Sequence, residues 1–219
     1  IYIAEMEIVS AQNLTKRYGK KIAVNNVSFS VNRGEIFGII GPNGAGKTTT
    51  LEMIEALRPI DGGSAVIAGI DVAKKPRDIK QIIGVQPQTP AFEEKLKLKE
   101  VLSFFASIYG VKAHTKQLLR SVGLEDRANS YPEQLSGGQR QRFSIAAALV
   151  HKPKVFFLDE PTTGLDPQAR RNLWDLIEKI RDQGVTVILT THYLDEAEQL
   201  CDRVAIMDKG MLIALDTPE

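Results

Sequence analysis

The chain contains one cysteine, Cys201, among 219 residues, which excludes an internal disulfide framework and suits a reducing compartment. Its expected role is that of a small buried apolar side chain. Long apolar runs are also missing: no window approaches the roughly 18 residues that a membrane-spanning helix requires. The first residues lack the basic start and apolar centre of a secretory leader, so the expectation is a soluble, cytoplasmic protein. Net charge is almost nil, with 28 Lys and Arg against 27 Asp and Glu. Bulk electrostatics therefore gives no support for nucleic acid or an anionic membrane surface as a partner. Repeats and low-complexity tracts are absent too. Met6 is the candidate natural start, and the chain is expected to continue past Glu219.

What is present is apolar content, 43% of residues, ample for a sizeable core. Met6 to Leu14, Ile22 to Val31 and Ser64 to Ile70 mix apolar and polar residues as antiparallel strands do, with turns at Asn25 and Asn26, at Asn32 to Gly34, and at Asp61 to Gly63. Three runs differ. Ile36 to Ile40, Val155 to Leu158 and Val185 to Leu189 are continuously apolar, as expected for strands of a parallel sheet covered on both faces. Helical periodicity separates them, notably over Arg170 to Arg181, where Leu173, Trp174, Leu176, Ile177 and Ile180 form one stripe. Trp174 is read as core. Leu98 to Tyr109 and Thr115 to Val122 are candidate helices of an insert. The expectation is one domain over residues 1–219, with a helical subdomain at about 90–150.

The apolar run ending at Ile40 leads into Gly41, Pro42, Asn43, Gly44, Ala45, Gly46, Lys47, Thr48 and Thr49, which fit GxxxxGK[ST]. In this pattern backbone N–H groups converge on phosphate oxygens, the lysine reaches the terminal phosphates, and the first hydroxyl binds Mg²⁺. Glycine allows the backbone to close on a ligand, and the helix starting near Gly46 adds its positive end. A second glycine motif, Leu135, Ser136, Gly137, Gly138 and Gln139, precedes a helix-like segment from Arg140 to Val150. Ser136 and Gln139 have capping-box spacing, so this is a second helix start with glycine amides. His114 and His151 have no comparable context and are read as surface or packing residues.

Together these motifs resemble the ATP-binding subunit of ATP-binding-cassette (ABC) transporters, for which LSGGQ is the family signature. The resemblance runs in order along nearly the whole chain. Tyr18 matches the aromatic residue that stacks on adenine, and Gly41 to Thr49 the phosphate loop. Gln88, following Pro87, matches the Q-loop glutamine, while Gln86 stands where the pattern usually has an apolar or aromatic residue. Val155 to Asp159, with Glu160, matches the second nucleotide motif. Gly164, Leu165 and Asp166 match the D-loop, although alanine or serine is usual at Gly164. His192 matches the switch histidine.

The resemblance implies an α/β fold: a P-loop NTPase core with a mostly parallel sheet, an antiparallel β-subdomain and a helical insert. It implies ATP and Mg²⁺ as ligands, with Thr48, Gln88 and Asp159 around the metal. Glu160 sits at the carboxyl edge of the sheet, where open α/β sheets place ligands, and is the general-base candidate. His192 would bond the γ-phosphate and orient water or Glu160, and Gln88 completes the catalytic set. In the family, Ser136, Gly137, Gly138 and Gln139 contact ATP held by a second subunit, which implies a nucleotide-dependent homodimer, or a heterodimer with a similar ATPase, linked through Asp166. The partner would be a transmembrane permease, placing the chain on the inner face of the cell membrane. Glu52 to Leu57 and Thr190 to Gly210 most resemble exporters of the ABC-2 kind for multiple drugs or antibiotics. The alternative is a non-transport ABC protein acting on ribosomes or DNA. A nucleotide-gated module without turnover is disfavoured by the presence of both Glu160 and His192.

Overall fold

The computed structural model describes residues 7–87, 92–93 and 95–218. Two of the sequence readings, Met6 and Gln88, lie outside the described residues. Among the described residues ten strands form two sheets. The smaller has the order β2-β1-β4-β5 and is antiparallel throughout, built from β1 (Glu7–Tyr18), β2 (Lys21–Asn32), β4 (Gly62–Ile67) and β5 (Ile70–Asp71). The larger has the order β10-β9-β3-β8-β7-β6. In it β6 (Ile83–Gln86), β7 (Val155–Asp159), β8 (Thr186–Thr191), β3 (Ile36–Ile40) and β9 (Arg203–Asp208) run parallel, and β10 (Met211–Asp216) returns antiparallel at the edge.

Every residue of β3 and of β8 is buried, and the reason is visible in how β3 and β7 divide their side chains. Ile36, Ile40, Phe156 and Leu158 enter one apolar core, while Phe37, Ile39, Val155 and Phe157 enter the other. A strand packed on both faces has no polar side, which is why these segments lack alternation. The first core joins the sheet to α3 (Leu98–Ile108), α4 (Thr115–Ser121), α5 (Gly137–Ala148), α6 (Pro167–Asp182) and α7 (Leu194–Leu200). The second joins it to α1 (Lys47–Ile54), α2 (Pro76–Ile82) and the antiparallel sheet. Cys201 is buried in the first core, and burial pushes its thiol well above the ordinary range.

Leu173, Leu176, Ile177 and Ile180 form the buried stripe of α6, and Trp174, partly buried beside them, donates from Nε1 to Glu196 Oε1 at 3.1 Å. His151 is a packing residue, its ring stacked on Tyr109 at 3.8 Å, and His114 is exposed. One expectation is corrected: Asn25 and Asn26 do not form a turn. They lie inside the continuous strand β2, opposite a register shift in β1, with Asn26 at φ 54° and Asn13 at φ 52°. Asparagine tolerates the left-handed region that a β-bulge requires. The expected strand from Ser64 to Ile70 also ends earlier, at Ile67, because Ala68 and Gly69 turn the chain into β5. Among the described residues no helix is long and apolar enough to cross a membrane.

Candidate functional site

The parallel strands deliver the predicted residues to one edge. β3 ends at Ile40, the loop from Gly41 to Gly46 follows, and α1 begins at Lys47. β7 ends at Asp159 with Glu160 next, and β8 ends at Thr191 with His192 next. A cavity of about 890 Å³ lies there, lined by Asn43, Gly44, Gly46, Lys47, Thr48 and Thr49, by Glu160 and His192, and by Tyr18 at the far end.

The loop glycines have different reasons. A Cβ on Gly41 would lie 2.2 Å from the carbonyl oxygen of Met207, and one on Gly46, at φ 101°, would lie 2.7 Å from that of Ala23. Both are required by the protein's own packing. At Gly44 a Cβ would meet nothing within 4 Å, and only its φ of 80° favours glycine. The expectation that the glycines serve ligand approach is therefore narrowed, because Gly41 and Gly46 are already demanded by β2 and β9.

Lys47 is 4% exposed. Its ammonium donates to Gly41 O at 2.8 Å and Pro42 O at 3.3 Å, and lies 3.4 Å from Glu160 Oε1. Glu160 stands at φ 46°, a strained conformation for a non-glycine residue. Its other carboxylate oxygen lies 3.4 Å from His192 Nδ1 and accepts from Thr163 Oγ1 at 3.3 Å. Thr48 Oγ1 is 3.2 and 3.1 Å from the two oxygens of Asp159. Sequence reasoning missed Thr190, which is fully buried. Its hydroxyl donates to Asp159 Oδ1 and accepts from the backbone N–H of Glu160 at 2.9 Å, fixing the two neighbouring carboxylates. The available signal was the polar pair Thr190 and Thr191 closing an apolar run just before His192.

Tyr18, at the end of β1, is 43% exposed, with Lys16 Nζ and Arg58 Cζ each 5.7 Å from its ring centroid. Arg58 is held by Glu52. Lys16 is tied to Pro59 O at 2.8 Å and Asp61 Oδ1 at 2.9 Å, and the Lys16 ammonium holds the Asp61 carboxyl below the usual range. The aromatic face thus sits on a fixed, cationic base.

Ser136 to Gln139 lie elsewhere. Ser136 Oγ accepts from Gln139 N at 3.3 Å and Gln139 Oε1 accepts from Ser136 N at 3.0 Å, the predicted capping box, at the start of α5. A pocket of about 220 Å³ contains all four residues together with Asp166 and Ala169. Asp166 caps α6, accepting from Gln168 N at 3.0 Å and Ala169 N at 2.9 Å. None of the residues lining this pocket lines the phosphate cavity. Gln86, two residues before Gln88, is wholly buried and donates from Nε2 to Pro87 O at 2.6 Å.

A model of the family described as "ABC transporter" matches residues 24–163. The chain is 43% identical, over 96% of its length and 69% of the relative's, to the linearmycin resistance ATP-binding protein LnrL of Bacillus subtilis (strain 168). It is 41% identical to the Nod factor export ATP-binding protein I of Burkholderia orbicola, over 96% and 71%. With the daunorubicin resistance ATP-binding protein DrrA2 of Streptomyces coeruleorubidus it shares 40% identity, over 96% and 67%. Among solved structures, an ATP-binding subunit of an ABC transporter superposes with a TM-score of 0.86 at 33% identity, covering 96% of this chain and 90% of the other. The ADP conformation of an ATP-binding cassette superposes at 0.87 with 27% identity, covering 96% and 91%. The chain belongs to the ABC transporter family, as an ATP-binding and ATP-hydrolysing member with the P-loop α/β fold.

Proposed function

We propose that two copies of this chain, or one copy and a similar ATPase, close head to tail around two Mg-ATP and drive a separate membrane permease for export. The observation that carries this reading is the division of the nucleotide machinery between two pockets with no common lining residue. The phosphate cavity holds a lysine, a hydroxyl and two carboxylates at one sheet edge. The signature pocket offers a helix start whose glycine amides face a different opening. A second subunit brings the two halves onto one triphosphate. Residues 1–219 act as one ATP-binding domain with the helical subdomain at about 90–150, and the permease places the domain on the inner face of the cell membrane.

The donor set fits Mg²⁺. The Thr48 hydroxyl and Asp159 carboxylate are hard oxygen donors 3.1 Å apart, and no group of three or more His, Cys, Asp or Glu suited to a metal occurs among the described residues. Magnesium is usually held by one or two protein groups and completed by phosphate oxygens and water. Gln88, outside the described residues, is the further ligand proposed. Held by these residues, the ion would supply charge neutralisation to the phosphates.

The residues of the chain do the rest. Tyr18 stacks on adenine, and Lys47 leaves its loop carbonyls to meet the terminal phosphates. The Lys47, Thr48 and Thr49 amides, which have no intrahelical partner by position, donate to phosphate oxygens. Glu160 takes a proton from water as the water oxygen attacks the γ-phosphorus, the bond to the bridging oxygen breaks, and ADP and phosphate result. His192, beside Glu160, holds the γ-phosphate and orients the base. Moving a closure equilibrium from 1:99 to 99:1 takes about 5.5 kcal/mol. Charge-assisted bonds at two γ-phosphates, each about 1.5–3 kcal/mol, suffice. Hydrolysis removes them and the halves part.

Export is supported by the relatives, which are named for antibiotic resistance and Nod factor export, and these names speak against the ribosome or DNA reading. The decisive test is Glu160→Gln. It is expected to bind Mg-ATP, to lose on the order of 10²–10⁴-fold in turnover, and to accumulate a dimer on sizing chromatography that disperses with ADP. A strictly monomeric protein saturated with Mg-ATP would overturn the sandwich.

A further inference from the structure

His192 stands between β8 and α7, outside either element, and its side chain is 29% exposed. An imidazole so placed has several rotamers open to it, and only one that faces Glu160 serves the pair. Two contacts narrow the choice. The Tyr193 ring lies 4.1 Å from the imidazole, centroid to centroid, with the planes tilted by 39°. Tyr193 is itself pinned by its backbone N–H, which donates to Thr191 Oγ1 at 3.0 Å. Over the Tyr193 ring sits the guanidinium of Arg170, its Cζ 4.6 Å from the centroid.

Arg170 belongs to α6, one turn beyond Asp166, and its backbone N–H donates to Asp166 O at 2.9 Å. Its guanidinium is held by Asp195 of α7, to which Nη1 donates at 3.2 Å. The Nε of the same group is buried and, among the described residues, has no hydrogen-bond partner. An orphaned buried donor costs stability, so hydrogen bonding alone does not account for this placement. The ring contact does, because a planar guanidinium stacks on an aromatic face in a way that a lysine ammonium does not match. One turn further along α6, Trp174 donates to the wholly buried Glu196 at 3.1 Å. That is a second tie between the same two helices, made without Tyr193.

We propose that Arg170 is a positioning residue for ATP hydrolysis: by holding the Tyr193 ring against the imidazole, it keeps His192 on Glu160. Neither Arg170 nor Tyr193 lines the phosphate cavity, so the clamp acts on the chemistry through His192. This rests on the reading of Glu160 and His192 as the catalytic pair and adds what sets their geometry. With the clamp in place His192 Nδ1 stands 3.4 Å from Glu160 Oε2. Without it the imidazole spends its time in unproductive rotamers, while Lys47, Thr48 and Tyr18, which hold the nucleotide, are untouched.

The test compares steady-state ATP hydrolysis by variants of the full-length protein. Arg170→Ala is expected to lower kcat about 5- to 30-fold with KM for ATP within about threefold. Tyr193→Leu should do the same, whereas Tyr193→Phe, which keeps the ring, should stay within about twofold of wild type. Arg170→Lys keeps the charge but loses the flat stack and should fall by about threefold or more, so the test survives an alanine variant that does not fold. In a His192→Ala background Arg170→Ala should cost nothing further, because no imidazole is left to place. Trp174→Phe breaks the other tie between α6 and α7 and should leave kcat within about twofold. In protein with isotope-labelled histidine, the His192 ring resonance, assigned by its loss in His192→Ala, should move in Arg170→Ala in the direction it moves in Tyr193→Leu. Wild-type kcat in Arg170→Ala or Arg170→Lys, a His192 resonance unmoved by Arg170→Ala, additive losses in the double variant, or an equal fall in Trp174→Phe would overturn the clamp and leave the catalytic pair intact. Turnover of His192→Ala at the wild-type rate would overturn the reading of His192 and the clamp with it.

Discussion

The two glycine-rich helix starts are finished differently. α1 begins at Gly46 with no side-chain cap and no acidic residue in its first turn, whereas α5 begins at Ser136 with a complete capping box. An uncapped start leaves its orphan N–H groups for an external anion. Around α1 the fold supplies the rest of a site, joining Lys47 to Glu160 and Thr48 to Asp159, with Thr190 fixing the carboxylates. Around α5 the polar groups satisfy one another: Ser136 and Gln139 pair reciprocally, and Asp166 caps its own helix. The first pocket gathers a lysine, a hydroxyl and two carboxylates, whereas the second satisfies its polar groups locally.

Lys47→Ala is the harshest way to break that contrast. Loss of the buried ammonium is expected to lower hydrolysis on the order of 10²–10³-fold and to weaken ATP binding, read by phosphate release and nucleotide titration. Turnover at the wild-type rate would show that the chemistry does not belong to the first pocket.

Gly137→Asp sharpens the contrast from the other side. A Cβ at Gly137 meets nothing within 4 Å, so the variant is expected to fold and to bind nucleotide as a monomer within about twofold of wild type. An added carboxylate facing a triphosphate opposes association by several kcal/mol, well over about tenfold. The ATP-dependent dimer should vanish from sizing chromatography. A dimer of undiminished stability would mean that the second pocket takes no phosphate.

The smallest effect is expected at the edge of the first pocket. Tyr18→Ala removes stacking worth about 1–3 kcal/mol, so KM for ATP should rise by roughly 5- to 150-fold with kcat at saturation unchanged. A fall in kcat with constant KM would place Tyr18 in the chemistry instead.

How far each region could be read in advance follows from the range of the interactions that build it. β3 and β7 were legible because burial on both faces writes a continuous apolar run into consecutive residues. The capping box at Ser136 was legible because its partners are three residues apart. Thr190 was not, since it acts on Asp159 from 31 residues away. The bulge at Asn26 looked like a turn because the same left-handed preference serves both, and only pairing with β1 distinguishes them.

Local order and chemistry were therefore determined by the sequence alone: a phosphate loop opening a helix, a capped second helix start, and an acidic pair ending a strand. These depend on neighbours within a few residues, whose spacing is printed in the chain. Tertiary structure decided which of these elements meet. Parallel pairing of β3, β8 and β7 set Thr48 beside Asp159 across 111 residues. Pairing of β7 with β8 likewise set Thr190 against Asp159 and the backbone of Glu160. Such encounters depend on strand order and layer packing, which no short stretch of residues encodes.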